Sequence, residues 1–280
     1  MNIGLHVSAA GSLTFAPERA LKRGCECFQF FSRSPHGGPV KEITPEIADE
    51  FKKNCRAFKQ NATYIHAPYF INLASAEARI YHGSIEVVRQ ELERASLLGV
   101  AGVVVHTGSA KALGEADGLN KAIEGYKKIL NKYKGESKLL IEIAAGAGAI
   151  IGDTFEEIST MIEALKDDGP VGVCVDTAHA FASGYDLRTA DDVANTFKKF
   201  EKIVGKKYLS LIHANDSKID FNGKRDRHEH IGDGKIGAKG FKALVAYAVK
   251  NKIDLICETP EDGKDLEDVK LLKSFRGKTK

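Results

Sequence analysis

No run of roughly eighteen or more apolar residues occurs in the chain, which excludes a transmembrane helix. The N-terminus, MNIGLHVSAAGSL, lacks a basic segment followed by an apolar one, so it does not read as a secretory signal, and a cytoplasmic location is expected. Cysteines number only five, Cys25, Cys27, Cys55, Cys174 and Cys257. Cys174 and Cys257 lie inside apolar runs, as reduced core residues do. Cys25-Glu26-Cys27 is a CxC without a second pair, which argues against a thiolate metal site. No Pro-, Gly- or Ser-rich linker and no low-complexity tract divides the 280 residues. A net charge of +3 is too slight by itself to point to nucleic acid.

What is present is alternation. Strand-like runs fall near 2–7, 26–31, 62–66, 102–106, 138–143, 171–176, 207–213 and 253–258. Helical segments follow near 13–23, 44–60, 76–98, 115–134, 154–167, 189–204, 238–250 and 264–274. Thr44-Pro45 and Asp153-Thr154 carry helix-start chemistry, and Gly99 and Gly135 read as helix stops. Eight strand–helix repeats without a linker predict a single-domain α/β TIM (β/α)8 barrel over 1–280, with an open doubly wound sheet as the second choice.

Six strand-like runs end in a His, Asp or Glu: TYIHAP, GVVVHTG, LLIEIA, GVCVDTAH, LSLIHAND and LICETP. A lone histidine at a strand end is more often a hydrogen-bonded structural residue than a ligand. Six such ends in succession, on the face where barrels place active sites, point to a shared cation site. The candidate ligands are His66, His106, Glu142, Asp176, His179, His213, Asp226, His228 and Glu258. Asp226 and His228 sit two apart in the charged loop KIDFNGKRDRHEHIGDG, where His230 competes. A tetrahedral zinc takes four donors, so nine suit two or three ions. Ions about 3.5–4 Å apart are the recurring device for displacement at phosphorus. Of the other histidines, His6 faces the pocket without an evident partner, His36 lies in the surface loop SPHGGP, and His82 is structural on a helix.

The motifs HAPYFINLA, VVVHTGS, CVDTAHAFASGYDLRT, HANDSK and DRHEHIGDG resemble endonuclease IV, the zinc-dependent apurinic/apyrimidinic endonuclease family. The resemblance runs from GLHVSAAGS to ICETP. It implies a DNA-repair hydrolase that cuts the phosphodiester 5′ to an abasic site, leaving a 3′-hydroxyl and a 5′-deoxyribose phosphate, and that clears blocked 3′ ends. It implies three Zn2+ ions, with Mn2+ or Fe2+ a candidate at one site. His66, His106 and Glu142 would hold the first. Glu142 would bridge to a second with Asp176, His213 and Glu258, which makes Glu142 and Glu258 the catalytic carboxylates. His179, Asp226 and His228 would hold the third. The implied partner is damaged double-stranded DNA, bound by a monomer through His36, Tyr69, Lys218, Lys224, Arg225 and Arg227.

The chain departs from the family pattern twice. The usual ENTAGQG reads EIAAGAG at 142–148, which keeps the carboxylate and loses its polar neighbours. The loop arginine that enters DNA is replaced by Ser34-Pro35-His36-Gly37, with Arg33 displaced nearby. A metal-dependent sugar isomerase or epimerase of the xylose-isomerase-like barrels is the enzymatic rival, and a DNA-binding relic without activity is a third reading.

Overall fold

The computed structural model describes residues 1–277. Eight parallel strands close on themselves: β1 (Ile3–His6), β2 (Cys27–Phe30), β3 (Ala62–His66), β4 (Gly102–Val105), β5 (Lys138–Glu142), β6 (Val171–Asp176), β7 (Leu209–His213) and, after a two-stranded insertion of β8 (Asp216–Ser217) and β9 (His228–Glu229), β10 (Asp254–Cys257). β1 pairs with both β2 and β10, which closes the barrel. The helices between them are α1 (Ala16–Lys22), α2 (Pro45–Ala57), α3 (Ala78–Leu98), α4 (Glu115–Leu130), α5 (Phe155–Leu165), α6 (Thr177–Ala182), α7 (Ala190–Phe200), α8 (Gly237–Asn251) and α9 (Asp265–Arg276). The eight strands and their helices stand where the sequence places them. The single-turn α6 and the β8–β9 hairpin are additions that the repeat pattern does not reveal.

Two apolar layers explain the strand sequences. Outward positions such as Phe28, Ile65, Val103, Ile141, Val173 and Ile212 pack with the helices in the main core. Inside the barrel a separate layer joins Cys27, Tyr64, Val104, Leu140, Cys174, Leu211 and Ile256. A strand presents every second residue on one face. Two residues beyond each member of that inner layer stand Gln29, His66, His106, Glu142, Asp176, His213 and Glu258. The strand period therefore carries seven polar side chains to the C-terminal mouth.

Local signals set most boundaries. Thr44 and Thr154 accept from Ile47 N and Glu157 N and cap α2 and α5. Gly99, at φ 69°, ends α3 in the left-handed region. The expected stop at Gly135 is not one: α4 ends at Leu130, and Gly135 instead leaves room for Ser96 Oγ and Tyr133 Oη, which a Cβ would meet at 2.1 and 2.4 Å.

On β1, Gly4 lies beside Cys27 and Ile256 in the ladder, and a Cβ there would meet Cys27 O at 1.7 Å. Gly83, inside α3, has nothing within 4 Å of its ideal Cβ. Gly4→Ala is expected to cost about 1–3 kcal/mol or more, since the obstacle is backbone. Gly83→Ala should stabilise by about 0.5–1 kcal/mol. Urea midpoints of the two variants check the pair; equal shifts would contradict the barrel register.

Candidate metal centre

Glu142 ends β5 wholly buried and is the hub of the mouth. Its Oε2 lies 3.3 Å from Nε2 of both His66 and His106. Its Oε1 lies 2.9 Å from His213 Nδ1 and 3.5 Å from His179 Nδ1. Among the described residues, four groups bring ligand atoms within 4.8 Å of one another: His66, His106 and Glu142; Glu142, Asp176, His213 and Glu258; Glu142, Cys174 and His213; and Asp176, His179 and His228. Asp226 closes on the last group, with Oδ2 3.2 Å from His179 Nε2 and Oδ1 3.3 Å from His228 Nε2. The structure thus gathers all nine sequence-derived candidates. It differs from the expected partition in two respects: Asp176 reaches two groups, and Cys174 comes within reach of Glu142 and His213.

The ring orientations follow from backbone contacts. His66 donates Nδ1–H to Ala67 O at 2.6 Å, His179 to Ile143 O at 3.0 Å and His228 to Glu258 O at 3.0 Å. Each Nε2 lone pair is thereby turned toward the carboxylates. Glu142 Oε2, His179 Nε2 and His228 Nε2 are buried without a hydrogen-bond partner. Orphaned acceptors of this kind are costly in a dry site. A divalent cation satisfies them, and imidazole with carboxylate is zinc-type donor chemistry. The residues present fit the metals that the sequence implies.

Two segments build the outer group. Asp176 caps α6, its Oδ1 accepting from His179 N at 2.9 Å, while Oδ2 accepts from Asn215 Nδ2 at 2.6 Å. The loop 218–227 docks on the end of α6: Asn222 N and Lys224 N donate to Phe181 O and Ala182 O, each at 3.0 Å. Phe221 packs at a tilt against Phe181, and the Arg188 guanidinium covers both rings. Asp216, fully buried, accepts from the main chain of Ser217, Gly232, Gly234, Ile236 and Gly237 and folds the segment after His228.

Sequence reasoning missed Gln29, Asn215 and the partners of His6. Gln29 and Asn215 are wholly buried. Asn215 holds Asp176 and also accepts from Glu258 N at 2.7 Å. His6 Nδ1 lies 3.5 Å from Glu258 Oε1 and 3.1 Å from Gln29 Nε2. The available signal was the strand phase, which puts Gln29 in line with the ligands. His230, the competitor of His228, is neither a ligand candidate nor exposed: it is buried against Asp268, 2.8 Å away. His82 is exposed on α3.

The mouth holds a cavity of about 510 Å³ walled by His6, Phe31, Tyr69, Arg227 and the ligand-type residues. A second hollow of about 530 Å³ continues past Tyr69 and Phe70 to Ala144, Ala145 and Ala147. The alanines of the EIAAGAG segment thus make an apolar wall beside His106 and His179. Tyr69 is 63% exposed, and its ring stands 6.4 Å from that of exposed His36. Arg225 and Arg227 are exposed, and Lys218 Nζ lies 3.8 Å from Glu229. Lys224 is half-buried over Gly146, its Nζ 3.3 Å from Asp153. Arg33 does not project into the mouth; its guanidinium pairs with buried Glu91 and donates to Gln90 Oε1 at 3.0 Å.

Burial opposes charge throughout this cluster, and at most of its groups the neighbours overrule it. Desolvation would raise Glu142, but His106 and His213 hold it well below the usual carboxylate range. Desolvation would lower His179, but Asp176, Asp226 and Glu142 raise it to about 10. His213 and His66 are raised in the same way, against burial, by Cys174, Glu258 and Glu142 in the first case and by Glu142 and Glu258 in the second. Burial prevails at His106, which is lowered. Protons on imidazole thus balance the carboxylates when cations do not, so metal and proton compete.

For the metal-free protein the sign is definite. Folded pKa values raised above the ordinary 6.5 add stability that is complete below that value and is lost as pH climbs toward about 10. Thermal melting in chelator should therefore show a falling midpoint from pH 6.5 to 10. A flat or rising midpoint over that window would contradict the charge balance described.

Residues 17–275 match the family of xylose isomerase-like TIM barrels. The chain is 38% identical over 279 residues to a probable endonuclease 4 of Nitrosopumilus maritimus, covering 98% of this chain and 100% of that one. It is 36% identical to a probable endonuclease 4 of Halothermothrix orenii, with 99% of both covered. The crystal structure of endonuclease IV from Thermus thermophilus superposes with a TM-score of 0.86 at 29% identity, over 98% of each chain. A D-tagatose 3-epimerase-like protein, at 21% identity and a TM-score of 0.75, shares the fold. The chain belongs to the endonuclease IV family.

Proposed function

We propose that this chain is a DNA-repair endonuclease that hydrolyses the phosphodiester 5′ to an abasic site, leaving a 3′-hydroxyl and a 5′-deoxyribose phosphate, and that clears blocked 3′ ends. The observation that carries the reading is the convergence of nine nitrogen and oxygen donors on one barrel mouth, three of their atoms buried and unpartnered. Full-length relatives named probable endonuclease 4 support it.

The chain's residues divide the work. His66, His106 and Glu142 would hold one ion, Glu142, Asp176, His213 and Glu258 a second, and His179, Asp226 and His228, with Asp176 in reach, a third. When bound, such ions draw charge from a phosphate and make water acidic enough to act as a nucleophile near neutral pH. Glu142 serves two groups through two different oxygens, so it fixes the spacing between them. Tyr69 offers an aromatic face at the edge of the cavity for the gap left by a missing base. Arg225 and Arg227 bring positive charge to the strand ends, where phosphate contacts make affinity fall with salt. A sugar isomerase would need one or two ions, which leaves the grouping of Asp176, His179 and His228 without a role.

Elemental analysis of active protein should return about three divalent ions, zinc foremost; one ion per active chain would overturn the reading. Glu142→Gln keeps the shape and removes the charge, and should reduce incision of an abasic duplex by at least ~10²-fold with loss of metal. Glu258→Gln should act alike, whereas exposed His82→Ala should leave rate and metal unchanged. Full metal and wild-type incision in Glu142→Gln would rule the mechanism out.

Tyr69→Ala and Arg227→Ala should weaken binding to the same duplex, and the arginine variant should reduce the dependence of log affinity on log salt by about one. Wild-type binding by both across a salt series would place the DNA elsewhere.

A further inference from the structure

Gln29 is wholly buried at the end of β2 and is not itself a metal donor of the groups above. Its amide joins three groups at the mouth. Oε1 stands 2.9 Å from His213 Nε2. Nε2 donates to Glu258 Oε1 at 2.6 Å and faces His6 Nδ1 at 3.1 Å. Chemistry fixes which end of the amide is which. Reversed, its oxygen would face a carboxylate oxygen at 2.6 Å, acceptor against acceptor.

An amide oxygen only accepts, so the His213 nitrogen that faces it carries a proton. His213 Nδ1 is then turned toward Glu142 Oε1 at 2.9 Å, Glu258 Oε2 at 3.2 Å and Asp176 Oδ2 at 3.8 Å. His66, His179 and His228 are held the other way round, by Nδ1 on a main-chain carbonyl. Gln29 does for His213, with the ring reversed, what those carbonyls do for the others. It also occupies one oxygen of Glu258 and leaves the second toward His213.

We propose that Gln29 is the positioning residue of the Glu142–Asp176–His213–Glu258 group, fixing His213 with its proton on Nε2 and Glu258 with Oε2 presented, so that both offer a lone pair to one divalent cation. This rests on the metal reading above. Gln29 acts through His213 and Glu258 and touches no reacting atom. An apolar side chain of similar length would fill its space but strand a buried N–H and a buried carboxylate oxygen.

The test reloads metal-free wild type and Gln29→Met with Co2+ against a chromogenic chelator, reading stoichiometry and affinity from visible absorption. A 15N spectrum of histidine-labelled, zinc-loaded wild type, assigned with His213→Asn, reads the proton position on His213. Gln29→Met should weaken one class of ion about 10–100-fold and leave the others at wild-type affinity. The spectrum should show a hydrogen-bonded proton on Nε2 of His213. Full retention of every ion by Gln29→Met, or a His213 bound to metal through Nε2, would overturn the proposal. Wild type that keeps no more than one ion against the chelator would overturn the metal reading, and the role of Gln29 with it. If Gln29→Met does not fold, the wild-type spectrum decides.

Discussion

Like charges held together in a dry place are the constraint on which this structure turns. Glu142 and Asp176 are fully buried, the Glu258 side chain is 17% exposed, and all three face the same imidazole. Two unit charges 4 Å apart repel by about 4 kcal/mol at an effective dielectric of 20. A flexible segment would relieve such repulsion by moving apart. Parallel strands with both faces packed cannot, and so the barrel converts the repulsion into affinity for positive charge. The histidines and the buried amides are arranged around that fact. Rings are turned by main-chain carbonyls or by Gln29, and Asn215 holds Asp176 while accepting from the backbone of Glu258.

Much of this was legible in the sequence because strand phase and strand end coincide with chemistry. An apolar run that stops at His, Asp or Glu names the side chain that faces inward at the mouth, and Glu142, Asp176, His213 and Glu258 were readable in that way. Gln29 was not. In CFQF a single amide reads as the exposed position of a half-buried strand, and only its alignment with the inner layer of Cys27, Tyr64 and Leu140 shows that it points inward. Asn215 lies two residues beyond the ligand candidate His213, where polar residues are ordinary. Asp226 and His228 were found by motif, since their placement depends on a loop docking against α6, a tertiary contact that composition conceals. Gly135 misled because a glycine near a helix end serves equally for a cap or for close approach.

The loop after β2 shows the same logic in a structural role. Glu91 is buried in α3, and an isolated carboxylate there would be costly. Arg33 pairs with it, Ser32 donates to it at 2.5 Å, and Arg94 reaches from α3 to Ser32 O and Lys41 O at 2.6 and 2.9 Å. The guanidinium of this loop is committed inward. On this side the groove edge is built from Tyr69 and His36, so ring faces rather than the Arg33 guanidinium meet whatever lies there.

The outer donor group joins two pieces of chain that differ in restraint. His179 belongs to a helix rooted in β6, whereas Asp226, half exposed, rides on the 218–227 loop, which docks on the end of α6 and reaches Asp153 through Lys224. A cation held there would join the loop to the helix, so that occupancy of the site and placement of the loop would be one equilibrium viewed from two sides. Such a cation would act as a clasp on the loop that carries Arg225 and Arg227. On that reading, metal supply would govern, besides chemistry at phosphorus, how firmly the positively charged rim is held before any substrate arrives.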